Sequence, residues 1–206
     1  VDSYRTLSER SPRIGAVVLA AGSSSRMGRN KLLFDVGGQT LVGRIVRAAA
    51  DACLEPIVVV LGHEADAVRG ALASPACRFI VNARHAEGMK SSVCAGIDAL
   101  SSEVDAAIVL LGDMPFVTAE MIAALASRYR AGGWLMVLSD YSGVTAPPTL
   151  IDHSLFSELI GEPVQGCSRT LRSRHADRAT TLAWPAAALA DVDVPADYER
   201  LRAMTG

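Results

Sequence analysis

Three runs of the chain are apolar at every position. They are Ile14-Gly-Ala-Val-Val-Leu-Ala20, Pro56-Ile-Val-Val-Val-Leu61 and Ala106-Ala-Ile-Val-Leu-Leu111. A strand with one wet face alternates apolar and polar residues, whereas a strand without alternation must be covered on both faces. Between the runs lie stretches whose apolar residues recur at helical spacing. Residues 40–52 place Leu41, Ile45, Ala48 and Ala49 on one face, and residues 92–100 do the same with Val93, Ile97 and Leu100. Thr118 is in position to cap a helix through residue 130 with Met121, Ile122, Leu125 and Tyr129 apolar. Short strands at 78–81, 134–138 and 178–183, and helices at 64–72 and 195–204, complete the pattern. Residues 139–166, which hold Pro147, Pro148 and Pro163, read as less regular. The expected fold is α/β, with a mostly parallel central sheet between two helical layers.

The chain's 206 residues suit one domain, half of them hydrophobic and 20% charged. The expected division is a flexible tail at 1–13 and a single domain at 14–206. A net charge of −2 gives no basic excess, which argues against a nucleic-acid partner. No apolar run approaches the roughly 18 residues of a membrane span, and the polar N-terminus lacks a signal-like core. A cytoplasmic protein without a membrane partner is the expectation. Cys53, Cys77, Cys94 and Cys167 form no metal or redox pair and have small or apolar flanks, so they read as buried reduced thiols. The four histidines are scattered without metal-ligand spacing.

Ligands of parallel sheets bind beyond the carboxyl ends of the strands. The informative residues are therefore Ala21 to Arg26, Gly62, Asn82 and Gly112-Asp113. After the first strand comes Leu19-Ala-Ala-Gly-Ser-Ser-Ser-Arg-Met-Gly-Arg-Asn-Lys31. Gly22 and Gly28 let the backbone bend so that its N–H groups can converge on one anion. Ser23, Ser24 and Ser25 add hydroxyl donors, and Arg26 and Lys31 add positive charge suited to a polyphosphate. The spacing is that of neither a P-loop nor a G-x-G-x-x-G turn. Asp113, just past the most apolar run, can cap the next helix or bind a hard cation such as Mg²⁺ together with substrate phosphates. Asp191 and Asp193 alternate in an extended stretch, and either could join Asp113 around a metal. Asp197 suits a helix N-terminus. Ser91 or Ser92 reads as a helix cap, with Gly96 one turn later permitting close approach.

At these residues the chain resembles the MobA-like NTP transferases, and within them the molybdenum cofactor cytidylyltransferases. Leu-Ala-Ala-Gly-x-Ser-x-Arg-Met-Gly-x-x-Lys matches residues 19–31 without a gap. Gly-Met-x-x-Ser-x-x-x-Gly matches 88–96, Gly-Asp-x-Pro matches 112–115 and Asp-x-Asp-x-Pro-x-Asp-Tyr matches 191–198. The departures fall on the acceptor side. Ala146-Pro-Pro-Thr-Leu-Ile151 stands where the family carries Gly-x-Pro-x-Leu-Phe. Glu162-Pro-Val-Gln-Gly166 leads into Cys167 where it carries Gly-Asp-x-Gly-Ala.

The resemblance implies a Rossmann-like, glycosyltransferase-A type fold, Mg²⁺ dependence and transfer of a nucleotide to a phosphate with loss of pyrophosphate. It places the triphosphate on Leu19, Ala20, Ala21, Gly22 and the loop through Gly28. It also makes Arg26, Lys31 and Asp113 catalytic, and Asp113 and Asp193 metal ligands. Gly62, Ser92 and Gly96 join the expected nucleotide contacts. The expected donor is CTP and the expected acceptor a molybdopterin-type cofactor, passed on to a recipient molybdoenzyme. Cytidylyl members carry Leu-Ala-Ala-Gly where guanylyl members carry Leu-Ala-Gly-Gly, and a methyl at Ala21 removes room for a purine. The alternatives are a guanylyltransferase, a sugar- or alcohol-phosphate nucleotidyltransferase, a flavin-dependent reductase of nicotine-blue type, and a non-catalytic cofactor-binding chaperone.

Overall fold

The computed structural model describes residues 10–23, 28–72, 77–161, 167–189 and 198. Seven strands form one sheet among them: β1 (Ile14–Ala20), β2 (Ile57–Leu61), β3 (Cys77–Val81), β4 (Ala106–Leu111), β5 (Met136–Tyr141), β6 (Val144–Asp152) and β7 (Ala179–Trp184). Their spatial order is β3-β2-β1-β4-β6-β5-β7. All run in one direction except β6, which is antiparallel to both β4 and β5. The α-helices are α1 (Leu41–Asp51), α2 (Ala65–Ala71), α3 (Met89–Leu100), α4 (Ala119–Arg130), α5 (Phe156–Gly161) and α6 (Cys167–Arg174).

The unalternating strands are buried on both faces because successive side chains enter different cores. Ile14, Ala16, Val18 and Ala20 of β1 pack with Val42, Ile45 and Val46 of α1 and Ile122 and Leu125 of α4. Val17 and Leu19 face the other way, toward Ile97 and Leu100 of α3 and Phe156 and Leu159 of α5. α3 comes unusually close to the sheet, because a Cβ on Gly96 would lie 2.2 Å from Val17 Cγ1 and 3.0 Å from Val60 Cγ2. Gly96 therefore serves helix-to-sheet packing, in the middle of β1 rather than at its carboxyl end. That corrects its expected place among the nucleotide contacts.

Residues 139–166 are more regular than the sequence suggests. They contain the end of β5, the nine-residue β6 and α5. Consecutive prolines read as a strand breaker because they lack N–H donors. Here side chains take over part of the ladder. Ser139 Oγ donates to Pro148 O at 2.7 Å and Tyr141 Oη to Pro147 O at 2.9 Å, beside a register shift between Val137 and Ser139. α6 is strongly polar, and among its described side chains Leu171 is buried. β5 begins two residues later than expected and α3 three residues earlier. Of the helix expected at 195–204, only Tyr198 lies among the described residues, and it is helical.

Two further expectations change. Cys53 is exposed, and Cys77 and Cys94 are only half-buried, so the reading of the thiols as core residues does not hold for these three. Within the expected tail, residues 10–13 are held to the body. Arg13 N–H donates to Asp105 Oδ2 at 2.6 Å, and Arg10 pairs with the same oxygen at 3.2 Å. No helix among the described residues is long and apolar enough to cross a membrane.

Gly96 and Gly70 make opposite predictions. Gly96→Ala drives a methyl into Val17 and should cost about 1–3 kcal/mol. Nothing lies within 4 Å of a Cβ on Gly70 in α2, so Gly70→Ala should stabilise by about 0.5–1 kcal/mol through helix propensity. Urea denaturation of the two variants measures both signs.

Candidate nucleotide site

β1 and β4 lie side by side, with Leu19 opposite Leu111. The chain leaving β4 stays attached to β1, since Gly112 N–H donates to Leu19 O at 3.0 Å. A Cβ on Gly112 would meet that same oxygen at 3.0 Å and Leu32 Cδ2 at 3.1 Å, so glycine permits the approach. The residue that follows is Asp113. Its Oδ2 lies 2.6 Å from Lys31 Nζ, with the two side chains 21% and 14% exposed. Asp113 does not cap α4; Thr118 does, accepting from Met121 N–H at 3.3 Å. With the capping role filled elsewhere, Asp113 is a sheltered carboxylate at the sheet's ligand edge, held against a cation.

Lys31 opens a 3-10 turn, Lys31–Leu33, that positions it. Asn30 caps the turn, its Oδ1 accepting from Leu32 N–H at 3.1 Å, while Leu32 is buried in the core. Ala21, just past β1, is buried, whereas Gly22, Ser23 and Gly28 are exposed, as a loop for a solvated anion must be. Leu19 and Ala20 lie within β1 with buried side chains, so they can offer only backbone to a ligand. Ser24, Ser25 and Arg26 lie outside the described residues, as do Asp191, Asp193 and Asp197. Tyr198, the last residue of that acidic motif, reaches the segment that follows Lys31. Tyr198 Oη donates to Asp35 O at 2.8 Å and its ring lies 4.7 Å from Phe34, whose ring also carries Arg29 at 4.2 Å.

A second wall forms where β1, β2 and β3 end. His63 N–H donates to Ala21 O at 3.3 Å. A Cβ on Gly62 would lie 2.8 Å from the Ala21 Cβ and 2.7 Å from His85 Cγ. Gly62 thus leaves a gap in which the Ala21 methyl and the His85 ring converge. Asn82 holds this arrangement. Its Nδ2 donates to Ser91 Oγ at 2.8 Å and Ser92 Oγ at 3.0 Å, and its Oδ1 accepts from Arg84 N–H at 2.9 Å. The expected serine capping of α3 is therefore corrected. Gly88, with φ 109°, stands at the cap position, and the serine hydroxyls instead tie α3 to the loop after β3. Ser92 is almost wholly buried in that network. His85 was not among the expected site residues. A signal existed in its position three residues past the strand-end Asn82, but the neighbour that gives it meaning is a missing side chain at Gly62.

On the far flank, β6 pairs Thr149 with Val109, so residues 144–146 run on past the end of β4. Arg172 of α6 donates to Thr145 Oγ1 there at 2.9 Å. The half-buried thiols of Cys77 and Cys94 are pushed up in pKa by burial, which leaves them poor nucleophiles. No group of three or more His, Cys, Asp or Glu side chains converges among the described residues, and Asp113 is the carboxylate that the loops enclose.

A sheet edge that sets a Gly-Ser loop, a lysine and a sheltered aspartate together is that of a nucleotide-binding α/β domain. The chain belongs to the MobA-like NTP transferase domain family, which matches residues 16–180. It is 38% identical over 122 residues to the bifunctional protein GlmU of Streptomyces avermitilis, covering 57% of this chain and 25% of that protein. The chain thus spans about a quarter of the length of that curated relative. Among solved structures, Rv0371c of Mycobacterium tuberculosis H37Rv superposes with a TM-score of 0.81 at 24% identity, covering 94% of this chain and 100% of that one. The same mycobacterial protein is also known as a manganese complex. A homologue of it from Mycobacterium sp. strain JC1 gives a TM-score of 0.78 at 27% identity, covering 94% and 96%.

Asn82 is the residue on which the second wall depends. Asn82→Ala removes two donated bonds and one accepted bond at a buried position, while Ser91 Oγ keeps its bonds to Arg84 O and Gly88 O. It should lower unfolding free energy by about 1–3 kcal/mol, read by chemical denaturation with Asn82→Asp as the near-isosteric comparison.

Proposed function

We propose that this chain is a cytidylyltransferase that moves CMP from CTP to the terminal phosphate of a molybdopterin-type cofactor and releases pyrophosphate. The observation that carries the reading is the Lys31–Asp113 pair at the carboxyl edge, beside the exposed Gly22 loop. Sheltered charges of both signs next to a Gly/Ser-rich loop suit a polyanionic substrate and its counter-ion.

The residues also fit a hard divalent cation. Mg²⁺ takes one or two carboxylates and completes its shell with phosphate oxygens and water. Asp113 supplies one hard oxygen donor in the right place, and Asp193 stands as the second expected ligand. When bound, the metal neutralises phosphate charge and helps orient the α-phosphorus. That the mycobacterial Rv0371c structure is known as a manganese complex supports a divalent cation as a ligand here.

The loop through Gly28 binds the triphosphate by backbone N–H groups, and Arg26 and Lys31 balance the charge that grows on departing pyrophosphate. The acceptor is a phosphate, ionised at neutral pH, so no side chain need take a proton from it. It approaches from the β6 flank, where Arg172 provides a cation. The base lies over Ala21, Gly62 and His85, which converge closely at the strand ends. From this cleft the dinucleotide product is handed to a recipient molybdoenzyme.

Two measurements test the reading. Pyrophosphate release should require both CTP and the molybdopterin acceptor. Asp113→Ala should reduce kcat roughly 10³-fold or more, since several kcal/mol of charge stabilisation is lost at about 1.4 kcal/mol per decade. Near-normal turnover in that variant would remove Asp113 from the chemistry. The wild type should also prefer CTP to GTP in kcat/KM, and Ala21→Gly should narrow the ratio by about fivefold, the worth of one methyl contact. A wild type that prefers GTP would transfer the assignment to guanylyl chemistry.

A further inference from the structure

Lys31 and Asp113 are each expected to hold a different ligand, yet here they hold each other. Lys31 Nζ lies 2.6 Å from Asp113 Oδ2, and both side chains are largely sheltered from water. A metal ion bound to Asp113, on either carboxylate oxygen, would stand close to the Lys31 ammonium, and the two cations would repel. We infer that this pair is a latch that makes divalent-cation and triphosphate binding depend on one another. The inference rests on the nucleotidyl-transfer reading for the identity of the two ligands, but not for the pair itself.

A divalent cation arriving alone at Asp113 either displaces the Lys31 ammonium or stands beside it, and two cationic centres are left together in a partly dehydrated cleft. A triphosphate arriving alone draws Lys31 toward itself and leaves the Asp113 carboxylate facing a polyanion. Each ligand alone therefore breaks an ion pair and creates a like-charge contact. When both arrive, Lys31 turns to phosphate, Asp113 turns to metal and every charge has an opposite neighbour. The coupling is reciprocal by thermodynamic necessity, so each ligand raises the affinity for the other by the same factor. It adds to the direct chelation of metal by phosphate in solution. The backbone favours such an exchange. Lys31 sits at the first position of a turn pinned by Asn30 and Leu32, which fixes its Cα. Asp113 is fixed by Gly112, whose N–H is held on β1.

The latch predicts that removing either partner raises affinity for the ligand of the other. Mn²⁺ alone, followed by the loss of its free-ion electron paramagnetic resonance signal, is the first probe. Lys31→Met should bind Mn²⁺ about tenfold more tightly than wild type in the absence of nucleotide, and Lys31→Gln should behave alike. Arg29→Met removes a neighbouring cation that stacks on Phe34 rather than on Asp113, and it should leave Mn²⁺ affinity within twofold. CTP in the presence of EDTA, followed by calorimetry, is the second probe. Asp113→Asn should bind it several-fold more tightly than wild type, although the same variant is inactive with metal. Thermal melts confirm that each variant is folded. Mn²⁺ affinity in both Lys31 variants no higher than in wild type, or raised equally by Arg29→Met, overturns the latch. An equal or weaker affinity of Asp113→Asn for metal-free CTP does so as well. If CTP binds none of the proteins even with Mn²⁺ present, the nucleotide reading has failed while the comparison with Mn²⁺ alone still decides the pair. If turnover with CTP and acceptor proceeds but Lys31→Met shows no gain for Mn²⁺, the latch alone has failed.

Discussion

Everything at the ligand edge depends on the parallel pairing of β1 with β4. Neither strand has a polar face, so both are confined to the middle of the sheet, and their register brings Leu19 level with Leu111. Beyond that point each chain must turn away. The bond from Gly112 N–H to Leu19 O keeps the second turn pressed against the first. A residue with a side chain at position 112 would push against the backbone of β1 and against Leu32, the residue that anchors the Lys31 turn. The 2.6 Å contact between Lys31 and Asp113 is a consequence of this packing. It is maintained by apolar strands and a glycine, and its two charges come from parts of the chain far apart in sequence.

The surrounding network divides the cleft into parts of different character. On the β6 side a hairpin runs on past β4 with a cation laid on Thr145. On the β2 and β3 side Asn82 spends both ends of its amide on the loop and on α3, and the result is the narrow gap between Ala21, Gly62 and His85. Buried polar groups are stabilising only when fully bonded, and Asn82 meets that condition with two donated bonds and one accepted bond. The cleft thus has a charged middle and a tightly packed flank, which suits a ligand with a polyanionic centre and a flat end.

Much of this was legible in the sequence, and the parts that were not share a cause. The strands β1, β2 and β4 announce themselves because two-sided burial removes all polar residues. Thr118 announces α4 because a hydroxyl just before an apolar repeat has a defined capping job. Asp113 and Lys31 could each be singled out by position, but not their contact, since nothing local records which loops a sheet order brings together. β6 was hidden because its prolines look like breaks, and the compensating donors, Ser139 and Tyr141, lie on a different strand. α6 was hidden because its sequence, Cys-Ser-Arg-Thr-Leu-Arg-Ser-Arg, is so polar that Leu171 has no apolar repeat around it. Gly96 and Gly62 were misjudged or underread for one reason. A glycine signals that something comes close, and the sequence does not say whether the visitor is a ligand, a strand or a histidine ring.

The central claim is that the cleft between the Gly22 loop and Asp113 holds a metal-bound nucleoside triphosphate. A crystal structure with Mn²⁺ and a non-hydrolysable CTP analogue, using the anomalous signal of manganese, tests it most directly. The account predicts manganese on Asp113, the triphosphate along the loop through Gly28, Lys31 turned from Asp113 to phosphate, and the cytosine beside Ala21 and Gly62. Manganese or nucleotide bound elsewhere, or a Lys31–Asp113 contact unchanged beside a bound triphosphate, would contradict it.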